Sequence, residues 1–195
     1  FHPVKIITTG EGGVAMTNNL QLSDRMRLLR SHGITRDVSK MKNKPDGAWY
    51  YEQIDLGFNY RMTDIQAALG ISQLNRIEQY VSRRNEIAEW YNKKFRTTDI
   101  SPLMQKMGRS YAYHLYVILI KGGRQQRDVL YNYLLKNDIG VNLHYIPVYK
   151  HPFFNKNSCL ENAEYYYKHA ISLPIYPTIS SKDLNKVVDK ILCYI

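Results

Sequence analysis

The sequence predicts an α/β chain in two parts, and three observations carry that prediction. Short β-branched stretches flank a glycine-rich turn near residue 10, one long amphipathic helix pattern runs from about 77 to 95, and strand and helix signals alternate beyond Thr97. The chain has 195 residues, 44% of them hydrophobic, which excludes disorder by composition and leaves ample material for a core. No run of about 18 apolar residues occurs, so no membrane-spanning helix is expected. Cys159 and Cys193 are too few for a disulfide framework and read as small buried hydrophobes; together with the lack of an Asn-x-Ser/Thr sequon they point to a reducing, cytoplasmic setting. The first residue is Phe1, with no signal peptide ahead of it, so the chain is expected to be a segment of a longer protein.

In chain order, Val4–Thr9 reads as a strand, Gly10-Glu11-Gly12-Gly13 as a tight turn, and Val14–Thr17 as a returning strand. Ser23 is the expected N-cap of a short helix carrying Met26 and Leu29 and closed by Gly33. Residues 35–57 form a long loop. Thr63-Asp64-Ile65-Gln66 is a capping-box pattern, and the small Ala67, Ala68 and Gly70 of the helix it opens suggest close packing. The next helix sets Ile77, Tyr80, Val81, Ile87 and Tyr91 against a charged face that includes Arg83, Arg84, Glu86 and Glu89, read as solvated. Then follow a strand over 114–120, a helix over 127–136 and a strand over 141–145. A helix capped by Ser158-x-x-Glu161, a short strand near 171–173 and a last helix after Ser180-Ser181 complete the series. That tail is α+β with two or three strands, and the boundary between the two parts falls within 75–97.

Lys5, flanked by Val4, Ile6 and Ile7, is the first candidate for chemistry. Apolar flanks at a strand lip would desolvate the amine and favour its neutral form, the state Schiff-base chemistry needs; the bland alternative is a surface cation beside a turn. The glycines after it leave room for a backbone to approach a cofactor. The string Phe1-His2-Pro3-Val4-Lys5-Ile6-Ile7-Thr8-Thr9-Gly10-Glu11-Gly12-Gly13 resembles the Schiff-base segment of the DegT/DnrJ/EryC1/StrS sugar aminotransferases, and Gly57-Phe58-Asn59-Tyr60-Arg61-Met62-Thr63-Asp64-Ile65-Gln66-Ala67-Ala68-Leu69-Gly70 resembles a second block of that family.

The resemblance spans essentially the whole chain. It implies the C-terminal half of a fold-type I, pyridoxal 5'-phosphate-dependent transferase. Residues 1–76 would then be the end of the cofactor-binding large α/β domain, and 77–195 a helical connection and a small α+β domain. It implies Lys5 as the catalytic, cofactor-bearing lysine. It also implies that Asn59 reaches across a homodimer interface toward the partner's cofactor phosphate or substrate; otherwise Asn59 is a turn-former ahead of its helix. Arg61 serves the same anionic pocket or pairs with an acidic neighbour.

Val141-Asn142-Leu143-His144-Tyr145-Ile146-Pro147-Val148-Tyr149 is similar to the phrase of the branch that aminates a UDP-linked 4-keto-6-deoxy-hexosamine, and His114-Leu115-Tyr116 fits a family strand. This makes Asn142, Leu143, His144 and Tyr145 candidate substrate contacts, with His144 and Tyr145 offering donors to a sugar hydroxyl or diphosphate. The alternative is packing in a tyrosine-rich fold.

The partners implied are a nucleotide sugar and glutamate as amino donor. Sibling enzymes for dTDP- or GDP-linked sugars and a non-catalytic fragment stand as alternatives. The net charge of +10 suits phosphate-bearing ligands. A nucleic-acid-binding module lacks a motif, and the basic residues are dispersed. No phosphate loop, dinucleotide fingerprint or metal-ligand spacing occurs.

Overall fold

Thr63 closes a capping box at the start of the second helix of a computed structural model, which describes residues 1–103, 105–154 and 159–194. The Thr63 side chain accepts from the Gln66 amide at 3.3 Å, and the Gln66 side chain accepts in return from the Thr63 amide at 3.0 Å. The chain divides into two units, Phe1–Asn75 and Arg76–Ile195.

In the first unit, α1 (Leu20–Arg30) is capped by Asn19, whose side chain accepts from the Leu22 amide at 3.0 Å. Asn19 therefore takes the capping place assigned to Ser23, which lies inside the helix. The helix ends on Ser31, and Gly33, with φ +69, returns its amide to the Leu28 carbonyl. The 35–57 loop is tied by a two-residue antiparallel pair, β1 (Ile34–Thr35) with β2 (Glu52–Gln53), and carries a 3-10 turn at Val38–Lys40. The buried Glu52 carboxylate accepts from the amides of Lys42 (2.6 Å) and Asn43 (2.8 Å), and these bonds hold it below the usual carboxylate range. Helix α2 (Asp64–Leu74) closes the unit.

Neither Val4–Thr9 nor Val14–Thr17 forms a strand. A strand needs a neighbour for its amides and carbonyls, and these segments find none among the described residues; the first closes on itself through local turns instead.

The second unit holds the core. Helix α3 (Ile77–Phe95) buries Ile87, Ala88, Tyr91 and Phe95. A three-stranded antiparallel sheet follows, with β4 (Tyr116–Ile120) between β3 (Ile100–Pro102) and β5 (Ala170–Leu173), so that Ile118 faces Pro102 on one side and Ile171 on the other. Helix α4 (Gly123–Lys136) adds Leu130 and Leu134; α6 (Ser181–Leu192), capped by Ser180, adds Leu184, Val187, Val188 and Ile191. Helix α5 (Glu161–His169) leads directly into β5. Helix α4 starts four residues earlier than its apolar pattern suggests, because Gly122 and Gly123, both at positive φ, turn the chain straight out of β4. Segment 141–145 is not a strand: a single bridge joins Asn142 to Ser172. The expected cap Ser158 lies outside the described residues.

Two further corrections concern burial. Arg84, expected on the solvated face of α3, is buried, and its guanidinium donates to the carbonyls of Tyr113 (3.0 Å), His114 (3.4 Å) and Ile175 (2.9 Å). Desolvation lowers its pKa. Cys159 and Cys193 are both exposed thiols rather than core residues.

Candidate active site

The lysine-bearing segment is a loop closed on itself. The Phe1 carbonyl accepts from the Thr9 amide (3.1 Å) and the Thr8 hydroxyl (2.9 Å), the Phe1 backbone nitrogen donates to the Gly12 carbonyl (2.7 Å), and the Lys5 amide donates to the His2 carbonyl (3.0 Å). Lys5 is exposed on this loop, as is neighbouring Val4, so the desolvated strand-lip setting expected for it is not what the described residues build. The base of the loop is better ordered. Thr9 is buried, its hydroxyl donates to the Glu11 carbonyl at 2.6 Å, and Gly10 and Gly12 both take positive φ. A Cβ on Gly12 would fall 2.7 Å from the Thr9 hydroxyl and 2.8 Å from the Met62 methyl, so only glycine fits that turn.

The second sequence block comes to the same place. Gln66, besides closing the capping box, donates from Nε2 to the Glu11 carbonyl at 3.2 Å. A Cβ on Gly70 would lie 2.8 Å from the Thr9 methyl, which shows how closely α2 passes the base of the lysine loop. Two motifs that end and begin 44 positions apart in sequence, at Gly13 and Gly57, are therefore one structural element. The stretch ahead of α2 is laid antiparallel along the end of α1: the Phe58 amide donates to Leu29, the Tyr60 amide to Arg30, and the His32 amide to Phe58. Asn59 is exposed in the middle of this extended run, bridged through its backbone to Ser31, and is not a turn residue. A groove of about 940 Å³ opens beside it, lined by Gly12, Gly13, Arg27, Arg30, Tyr60 and Arg61 among others. Arg27 and Arg30 of α1 escaped the sequence reading; their spacing marks only a basic helix end, and the groove appears once the chain is folded.

The other four candidates lie together in the second unit. Asn142 exchanges backbone hydrogen bonds with Ser172 of β5 (2.8 and 3.3 Å), and its side chain accepts from the Leu143 amide at 2.8 Å. His144 is half-buried: its Nδ1 lies 2.8 Å from the Ser172 hydroxyl, and its carbonyl accepts from the Tyr166 hydroxyl at 2.9 Å. Tyr145 is exposed and meets the His144 ring edge-on, with centroids 4.8 Å apart. Further along, the Glu164 carboxylate accepts from Lys150 (2.7 Å) and Tyr149 (2.9 Å), and these two bonds hold it below the usual carboxylate range. Lys150 also lies 5.1 Å from the centre of the Tyr167 ring. The supporting residues Glu164, Tyr166 and Ser172 were missed in the sequence, where a tyrosine run and a strand serine carry no signal of their own. Among the described residues no cluster of His, Cys, Asp or Glu could hold a metal, and no helix is long and apolar enough to cross a membrane.

The residues present offer the two functions an anionic aromatic aldehyde needs, an exposed primary amine in Lys5 and three arginines along a groove that Lys5 itself does not line. Comparison with known proteins places the chain among aminotransferases. The model of the DegT/DnrJ/EryC1/StrS aminotransferase family matches residues 1–192. The UDP-4-amino-4,6-dideoxy-N-acetyl-beta-L-altrosamine transaminase of Campylobacter jejuni is 37% identical over 194 residues, covering 97% of this chain and 49% of its own. The spore coat polysaccharide biosynthesis protein SpsC of Bacillus subtilis is 34% identical over 201 residues, covering 98% and 51%. Among solved structures, PseC of Helicobacter pylori, an aminotransferase of pseudoaminic acid biosynthesis, superposes with a TM-score of 0.87 at 29% identity, over 100% of this chain and 51% of that one. The chain spans about half the length of the curated relatives it matches.

Proposed function

This chain belongs to the DegT/DnrJ/EryC1/StrS aminotransferase family, and from that premise we propose that it is the C-terminal half of an enzyme that moves an amino group from glutamate to the C4 keto carbon of a nucleotide-linked 4-keto-6-deoxy sugar, with UDP as the nucleotide. Enzymes of this family depend on pyridoxal phosphate. The observation that carries the reading is the union of the lysine loop with the Gly57–Gly70 block through Gln66 and Gly70. Both blocks match the family, and the fold makes them one element.

When bound, pyridoxal phosphate supplies the electron sink that lets an amino group pass from donor to acceptor. The chain's own residues do the rest. Lys5 Nζ would hold the cofactor, and as an amine it would take a proton from the donor's carbon and later give one to the acceptor's, general base and then general acid. The closed loop that carries it, pinned at Phe1 and Thr9, limits where that amine can travel. Asn59 and Arg61 address an anionic group, the cofactor phosphate or substrate of a partner subunit, in a homodimer with shared active sites. In the second unit, Asn142, Leu143, His144 and Tyr145 form the strip that grips the sugar or its diphosphate, His144 and Tyr145 through their polar edges. The free, exposed Cys159 and Cys193 fit a reducing compartment such as the cytoplasm.

The test uses the full-length protein loaded with cofactor. Glutamate should bleach its visible absorbance, and a UDP-linked 4-keto-6-deoxy sugar should restore it with formation of the 4-amino sugar. Restoration by dTDP- or GDP-linked sugars alone would reassign the nucleotide. No response to glutamate or to any keto sugar would overturn the reading.

A further inference from the structure

Ser172 sits in β5 between Ile171 and Leu173, and all four residues of that strand are buried. A hydroxyl in such a strand is unfavourable unless it is hydrogen-bonded, and alanine would fill the place without that demand. Its partner is the His144 ring, 2.8 Å away. The register explains the meeting. Asn142 is bridged to Ser172, and His144, two residues on, returns its side chain to the same face, within diagonal reach.

A second element holds the same residue. Tyr166, from α5, donates to the His144 carbonyl at 2.9 Å, so ring and backbone are gripped from two directions. Burial raises the Tyr166 phenol, which keeps it a donor at neutral pH. From the same helix, Glu164 takes Tyr149 and Lys150 at the far end of the strip. None of these three residues belongs to the apolar cluster of the core.

We propose that Ser172 and Tyr166 are positioning residues that fix the direction of His144 toward the nucleotide sugar, with Glu164 anchoring the other end of the 142–150 strip. The proposal rests on the reading of residues 142–145 as sugar contacts. Fixing a side chain in its working direction before ligand arrives lowers the ordering cost of binding, so losing either hydrogen bond weakens the grip on the sugar more than it slows the chemistry.

The experiment compares wild type, Ser172→Ala, Ser172→Thr and Tyr166→Phe as full-length holoenzymes, measuring both half-reactions and the melting temperature. For Ser172→Ala and Tyr166→Phe the KM for the keto sugar should rise about three- to ten-fold, the worth of one hydrogen bond. The glutamate half-reaction should stay at the wild-type rate, and Ser172→Thr, which keeps the hydroxyl, should restore the sugar KM. An unchanged sugar KM in both Ser172→Ala and Tyr166→Phe would overturn the proposal. So would losses in the two half-reactions that move together with the melting temperature, which mark a purely structural role. A wild-type enzyme that aminates no nucleotide-linked keto sugar would instead overturn the functional reading beneath it.

Discussion

Gly57 has no room for a methyl group. A Cβ there would stand 2.1 Å from the Gly33 amide nitrogen and 2.4 Å from the His32 carbonyl carbon, all of it backbone that no rotamer can relieve. Gly33 is caught in the same way, at φ +69 with the Asp55 carbonyl 2.0 Å from the place of its Cβ. The extended run that carries Asn59 is therefore laid against α1 by two glycines. Gly57→Ala should destabilise the protein by about 2–3 kcal/mol, the scale of an overpacked site, and thermal unfolding of the full-length protein measures it. Both glycines were visible in the sequence as a motif member and a helix stop, but the need for them was not, because it arises between segments more than twenty residues apart. Arg84 makes the same point from the other side. Its helical neighbours Ile87 and Ala88 belong to the buried stripe of α3, so its place on that face follows from spacing, but the carbonyls of Tyr113, His114 and Ile175 that receive its charge come from distant segments.

Elements that carry their own stop and start signals were legible; elements that depend on a distant partner were not. The Thr63 box and the Ser180 cap fall where local chemistry puts them, each decided within one turn of chain, and the helix at 77–95, which has no side-chain cap, follows from the apolar spacing along its own length. The stretches at 4–9, 14–17 and 141–145 have strand composition, yet a strand exists only where a neighbour accepts its hydrogen bonds, and one bridge is all the last of them finds. The candidate residues Asn142 to Tyr145 are held instead by α5 and β5. Glu164 gives that arrangement a pH signature. Its folded pKa is depressed by Lys150 and then Tyr149, so its contribution to stability is fully present above the ordinary glutamate range and is lost as pH falls through the depressed value. The wild type should accordingly melt higher than Glu164→Gln at neutral pH, with the gap closing in acid below that range. A gap independent of pH would show that the carboxylate charge is not what anchors the strip.

At the scale of the molecule the two units are built differently. The second has its own apolar core of strands and helices. In the first, α1 and α2 bury no residue fully, and Met16, Leu20, Leu56 and Ile65 lie open, while what is buried is Thr9, Gly33, Thr35 and Glu52. Within that unit a hydrogen bond and a close glycine contact tie α2 to the base of the lysine loop. The central claim concerns that loop: Lys5 is the residue to which pyridoxal phosphate is bound. The direct measurement is reduction of the full-length holoenzyme with borohydride, followed by peptide mass mapping, alongside the Lys5→Ala protein. The account predicts a phosphopyridoxyl group on the peptide that contains Lys5, and a Lys5→Ala protein without visible absorbance or turnover. A label fixed on another lysine, or a Lys5→Ala enzyme that turns over at the wild-type rate, would contradict it.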